Sequence, residues 1–229
     1  MKTRSMSPIW LRGRRCIADM LADCRGIAAT EFAVIVPIML VLFFGVVEFS
    51  SGVAVDRKVT LIARALSDLT SQTPPPTVQS TSASILDNDL QNIFTASISI
   101  MYSYSPTPVK ATLSEIYVDS NQKATIQWSK AAIIAPGATQ ATLTTSSHSP
   151  NDVVTPIVPS TLLVKQTYLI FSEVNYLYTP TIGYVMKTAV NLADKAYARP
   201  SQVVCVVYAT PNPTQPAPDP LTGNPCPTP

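Results

Sequence analysis

The pattern of apolar and polar positions changes character along the chain. From Ile27 to Val47 every residue is apolar or small except Thr30 and Glu31. A helix of that length spans about 31 Å, close to the ~30 Å hydrocarbon core of a bilayer. A soluble core helix has no need of apolar residues on all its faces, so this stretch is predicted to cross a membrane. Further on, Leu61, Ile62, Ala65, Leu66 and Leu69 recur at helical spacing with Arg64 and Asp68 between them. The helix is therefore expected to continue past the membrane until Pro74, Pro75 and Pro76 end it. Ile85, Leu86, Leu90, Ile93 and Phe94 predict a second amphipathic helix, preceded by Ser and Thr residues suited to capping.

The period then shortens. Ile98, Ile100, Tyr102 and Tyr104 alternate with polar neighbours, which predicts a half-buried strand. Residues 111–118 and 124–128 flank Asp119-Ser120-Asn121-Gln122 and read as a hairpin. Residues 137–154 are rich in Ser, Thr, Asn and Asp and read as loop. Tyr168, Ile170, Val174, Tyr176 and Tyr178 share one face of a long strand. Residues 188–198 fit a strand or a helix, and Val203 to Tyr208 fits a short central strand. The simplest architecture is α+β, a long N-terminal helix leading to an antiparallel sheet. The tail from Thr210 to Pro229 alternates Pro with polar residues and cannot bury enough apolar surface to fold alone.

Charge sharpens this outline. The chain has 229 residues, room for one domain plus an anchor, and only 13% of them are charged. Lys2, Arg4, Arg12, Arg14, Arg15 and Arg25 face only Asp19 and Asp23 within the first 26 residues. This basic head before the apolar run places the N-terminus in the cytoplasm and the body outside. A cleaved secretory signal fits less well, because the run exceeds 7–15 residues and the sites near Gly52 and Ala54 are poor. Nucleic-acid binding is not expected, since no basic run interleaved with aromatics occurs.

Glu31 stands inside the apolar run, where a carboxylate costs a few kcal/mol. It lies shallow enough to reach headgroups, or it has a partner and a task. It is the fifth residue after Gly26, which follows Arg25. That arrangement is similar to type IV prepilins, which are cut after a glycine behind a basic leader and carry glutamate at mature position five. The string from Gly26 to Phe49 resembles the N-terminal signature of the TadE-like family, through Glu31, Phe32, Ala33, Pro37, Gly45, Glu48 and Phe49. Glu173-Val174-Asn175-Tyr176-Leu177-Tyr178-Thr179-Pro180 and Arg199-Pro200 resemble later family segments, and through the resemblance 188–198 is expected to be a strand.

The resemblance implies a minor pilin of a tight-adherence (Tad, or Flp-type) pilus, in the bacterial inner membrane. It implies cleavage by a prepilin peptidase between Gly26 and Ile27, and pairing of the new Ile27 α-amino group with Glu31 of a neighbouring subunit. The expected partners are the peptidase, other pilins, the Tad inner-membrane machinery and the membrane itself. Ile27 departs from the small or aromatic residues common at that position. Glu31 argues against TadG-like relatives. The chain divides into a leader at 1–26, a transmembrane helix at 27–49, an exported α+β domain at 50–209 and a tail at 210–229. Cys16 and Cys24 would leave with the leader. Cys205 and Cys226 would remain on the oxidising side, as a disulfide or as two thiols.

No enzyme is expected. His148, the lone histidine, lies in Ser146-Ser147-His148-Ser149-Pro150 and reads as a polar surface loop. Asp87 and Asp89 read as a solvated helix face, and the tyrosines at 102–104 and 176–178 as sheet surface, core or subunit interface. No cofactor or metal is expected, since neither cysteine pair has ligand spacing. The alternative is an anchored extracytoplasmic binding domain in which Gly26 and Glu31 coincide by chance.

Overall fold

A computed structural model describes residues 26–76, 80–107, 109–180, 188–209 and 226. Helix α1 runs unbroken over Gly26–Ser71, with Pro37 inside it. Its first half carries apolar residues all round and leaves them exposed. Its second half has a clear inner face: Val55, Val59, Ile62, Ala63 and Leu66 are fully buried, while Asp56, Arg57, Arg64 and Asp68 point out. The helix stops as the sequence predicts. Pro74 follows a last turn closed by Thr73 N to Thr70 O, and Ser201 N and Oγ donate to the Ser71 carbonyl at 2.9 and 3.1 Å.

Strand β1 (Ser82–Ile85) and helix α2 (Asp87–Ile98) follow. The expected helix start is corrected. Ile85 belongs to β1, and the N-cap is Leu86, whose N–H donates to the Asp89 carboxylate at 3.2 Å. The Asp89 carboxylate thus takes the N-cap N–H, the N3 half of a capping box, and no Ser or Thr side chain caps the helix.

The strand expected over 98–104 is also corrected. α2 reaches Ile98, and a single 3-10 turn, Ser99–Met101, continues it. Phe94, Ile98 and Met101 are fully buried at helical spacing, whereas Tyr102 is 85% exposed. Lys58 Nζ from α1 donates to the Ile100 and Tyr102 carbonyls, both at 2.8 Å, and so satisfies the end of this helix with a cation. Alternation in the sequence lost to a tertiary cap.

The main sheet has the order β4-β3-β2-β5-β6 and is antiparallel throughout. Strands β2 (Val109–Val118) and β3 (Ala124–Ile133) form the predicted hairpin, with a register shift between Glu115 and Ile116. Asp119 Oδ1 accepts from the N–H groups of Asn121 and Lys123 and shapes its turn. The loop region holds only the short strand β4 (Thr142–Thr144). Strands β5 (Thr167–Tyr178) and β6 (Val190–Ala198) complete the sheet and bear out the strand expectation for 188–198.

Ser172 Oγ donates to the Ala63 carbonyl at 2.6 Å and fixes α1 on one face of the sheet. That face holds the main core, with Leu113, Ile170 and Val174 packed against α1 and α2. A smaller core of Ile116, Ile126, Leu169 and Phe171 lies under Val154 and Val158 on the connection from β4 to β5.

Strand β7 (Cys205–Tyr208) corrects one more expectation. It is not central to the main sheet but pairs in parallel with β1, in a separate two-stranded ribbon. The fold is α+β: a long apolar N-terminal helix, then a domain of antiparallel sheet and helices.

Candidate functional site

The first half of α1 is the most unusual surface of the molecule. Phe32, Ile38, Leu42, Phe43, Val46 and Phe49 are each more than half exposed. Soluble monomers rarely display so much contiguous apolar area, so another apolar body is required to cover it. Residues Ala28–Ser71 form a helix long and apolar enough to cross a membrane. No charged residue stands between Glu31 and Glu48.

The two carboxylates bounding this stretch sit in opposite environments. Glu31 is exposed, in the second turn of the helix. Gly26 is the first helical residue, with no other described residue within 4 Å of the space a side chain would fill. The Gly26–Ile27 peptide and Glu31 therefore lie about 7 Å apart along one helix end. Residues 1–25, which hold the expected leader up to Arg25, lie outside the described residues.

Glu48 is only 2% exposed. It lines a cleft of about 230 Å³ where α1 meets the sheet, with Phe49, Gly52, Val53, Asp56, Tyr178, Val190 and Leu192. Burial raises the Tyr178 phenol, with the negative charge of Glu48 adding to the effect. Sequence reasoning matched Glu48 to a motif but missed its burial. The signal was present: Glu48, Val55, Val59, Ile62 and Leu66 repeat at helical spacing, so Glu48 begins the buried face.

The remaining sequence candidates sit in the domain. The structure joins Cys205 and Cys226 in a disulfide, with Cα atoms 5.8 Å apart. His148 is drawn onto the sheet instead of standing free in a loop. Its Nε2 lies 2.6 Å from Glu173 Oε2, and Lys195 Nζ lies 3.0 Å from Glu173 Oε1. His148 N donates to Ser146 Oγ, which joins a hydroxyl chain through Ser129 to Ser114 at 2.6 and 2.7 Å. Among the described residues the ring nitrogen meets Glu173 and the serine hydroxyls meet one another. The arrangement pins a loop across β3, β2 and β5, where a nucleophile would need its hydroxyl on the ring.

Asp87 also departs from a plain solvated role, since Tyr208 Oη donates to it at 2.6 Å. The tyrosines divide: Tyr102 is exposed, whereas Tyr176 and Tyr178 are buried at the foot of the sheet against the helix. Among the described residues no group of three or more His, Cys, Asp or Glu is placed to hold a metal ion.

The decisive comparison concerns the helix. The family model for TadE-like protein matches residues 26–66. Residues 26–66 are similar to a TadE-like protein. The match covers the exposed half of α1, both carboxylates and most of the buried face. No curated protein and no solved structure matches. The match is confined to α1, the helix long and apolar enough to cross a membrane.

Proposed function

We propose that this chain is a minor pilin or pilus-assembly subunit of the tight-adherence system. It inserts α1 into the inner membrane with its basic leader in the cytoplasm and its α+β domain outside. A prepilin peptidase cuts between Gly26 and Ile27, and the subunit then associates laterally through the exposed half of α1. The observation that carries this reading is the TadE-like match falling on a helix whose apolar half, Glu31 included, is left exposed by the other described residues.

The chemistry follows from the membrane. Cleavage creates an α-amino group at Ile27 with an ordinary pKa near ~8. Glu31 of an adjacent subunit neutralises it. Either charge alone in the low-dielectric layer is costly, so the pair favours lateral contact in one register. The domain needs no substrate for this task.

Sequencing the N-terminus of membrane-extracted protein, with and without the cognate peptidase, tests the reading. A mature chain beginning at Ile27 only when the peptidase is present is the expected result. Persistence of Met1 would leave an anchored extracytoplasmic domain without a pilus role. Glu31→Ala is expected to reduce pilus output at unchanged subunit level, and normal output would remove Glu31 from the mechanism.

A further inference from the structure

The cleft where α1 meets the sheet has an apolar lining and one unmet polar demand. Phe49, Gly52 and Val53 form its helix wall, and Tyr178, Val190 and Leu192 its sheet wall, around about 230 Å³. Tyr178 is 5% exposed, and its hydroxyl has no hydrogen-bond partner. A buried donor in that state is costly, and an occupant that carries an acceptor relieves the cost. Gly52 keeps the space open, since a Cβ there would already stand 3.7 Å from the Tyr178 ring.

Depth along the helix points to the occupant. The apolar run ends at Val47, and Gly52 lies about 7.5 Å of helix beyond it. The headgroup layer on each side of the hydrocarbon is roughly 5–8 Å deep. Val46, Phe49 and Val53 share one helix face and are 66%, 69% and 37% exposed. The apolar stripe of the membrane-length half of α1 therefore runs without a break into the mouth of the cleft. Tyrosine suits this level, because its ring is apolar and its hydroxyl polar. A phospholipid presents the matching order: acyl chain below, ester carbonyl at the boundary, headgroup above.

We propose that this cleft binds a phospholipid of the leaflet on the domain's side: the upper acyl chain lies along Phe49, Gly52 and Val53 and against Leu192, an ester carbonyl accepts from the Tyr178 hydroxyl, and the lipid seats the domain on the bilayer. Glu48 and Asp56 also line the cleft. Their carboxylates repel an anionic headgroup and favour one that bears an ammonium. The site rests on α1 crossing a membrane, as proposed above, and is independent of leader cleavage and pilus assembly.

Photolabelling of the full-length protein in phosphatidylcholine vesicles tests it, with a phosphatidylethanolamine probe that carries a diazirine near the top of its acyl chain. Label is expected on Tyr178 and Leu192 as well as on Val46 and Phe49. Label on α1 alone would overturn the site and leave the anchor standing, whereas no label on either would overturn both. Gly52→Leu fills the cleft and is expected to lower label on Tyr178 and Leu192, relative to Val46, by about tenfold, the loss of roughly two methylene contacts. Gly52→Ala adds one methyl and should give a smaller fall in the same direction if the larger side chain fails to fold. Tyr178→Phe keeps the ring and removes the hydroxyl, so label on Leu192 should fall about three- to tenfold. Unchanged label in Gly52→Leu or Tyr178→Phe would overturn the site. A phosphatidylglycerol probe with the same acyl chain is expected to label Leu192 less, and equal label would overturn the headgroup preference. Label that vanishes as the protein-to-lipid ratio rises would assign the cleft to a second copy of the chain and overturn the lipid.

Discussion

Between Phe32 and Phe49 helix α1 turns Phe32, Leu42, Phe43 and Phe49 outward, each more than 60% exposed, whereas between Val55 and Leu66 it buries Val55, Val59, Ile62 and Leu66 completely. Both stretches belong to one continuous helix. The polar residues between them make the difference. The first half has none after Glu31 until Glu48, so no face prefers water and the whole cylinder seeks an apolar solvent. The second half interposes Asp56, Arg57, Arg64 and Asp68, which leave one stripe to pack and one to face water. One helix thereby serves two phases, with Glu48 at the crossing.

Swapping the same lesion between the halves gives the largest expected contrast. Leu66→Ala removes a fully buried side chain and should cost the domain about 2–5 kcal/mol in chemical denaturation. Leu42→Ala, at a position 63% exposed, should leave domain stability unchanged. Equal effects would show that the two halves are not separate environments.

A smaller effect separates charge from apolar surface inside the domain. Glu115 has its carboxyl raised from 4.5 to about 8 by burial. Its protonated form is the one that folding favours. The stability it permits is fully present below about 4.5 and is lost as pH rises through about 8. Denaturation between pH 5 and 9 should show a loss on the order of 3 kcal/mol, and Glu115→Gln should flatten that slope. A wild type with no slope over this range would contradict the burial of this carboxyl.

The smallest effect probes the contact that holds the second half of α1 in place. Ser172→Ala deletes the 2.6 Å bond to the Ala63 carbonyl and should cost about 1 kcal/mol. The loss should appear in domain unfolding and leave membrane extraction of the chain unchanged.

Legibility followed the range of the interactions. The anchor, the continuation of α1, the β2–β3 hairpin and strand β5 were readable because periodicity, Pro74–Pro76 and the Asp119 turn act within a few residues. The Gly26–Glu31 spacing was visible for the same reason, as a short motif on one helix end, and the roles given to it are proposals. The stretch 98–104 was misread because Lys58, more than 40 residues away, caps it. His148 was left in a loop because Glu173 and Lys195 come from strands that only the sheet brings together. Val203 to Tyr208 was apolar enough for a central strand, yet its Val206 peptide is bonded by side chains from β2 and β3.

The sequence by itself therefore determined what depends on local pattern: a membrane-length helix behind a basic head, a TadE-like motif, and strands that alternate. Tertiary structure decided what depends on surfaces meeting. It chose which half of α1 is buried, sank Glu48 at the junction and Glu115 beneath β7, and moved the last strand out of the main sheet into a ribbon with β1. Periodicity is encoded residue by residue, whereas burial and partner choice exist only once distant segments exclude water from one another.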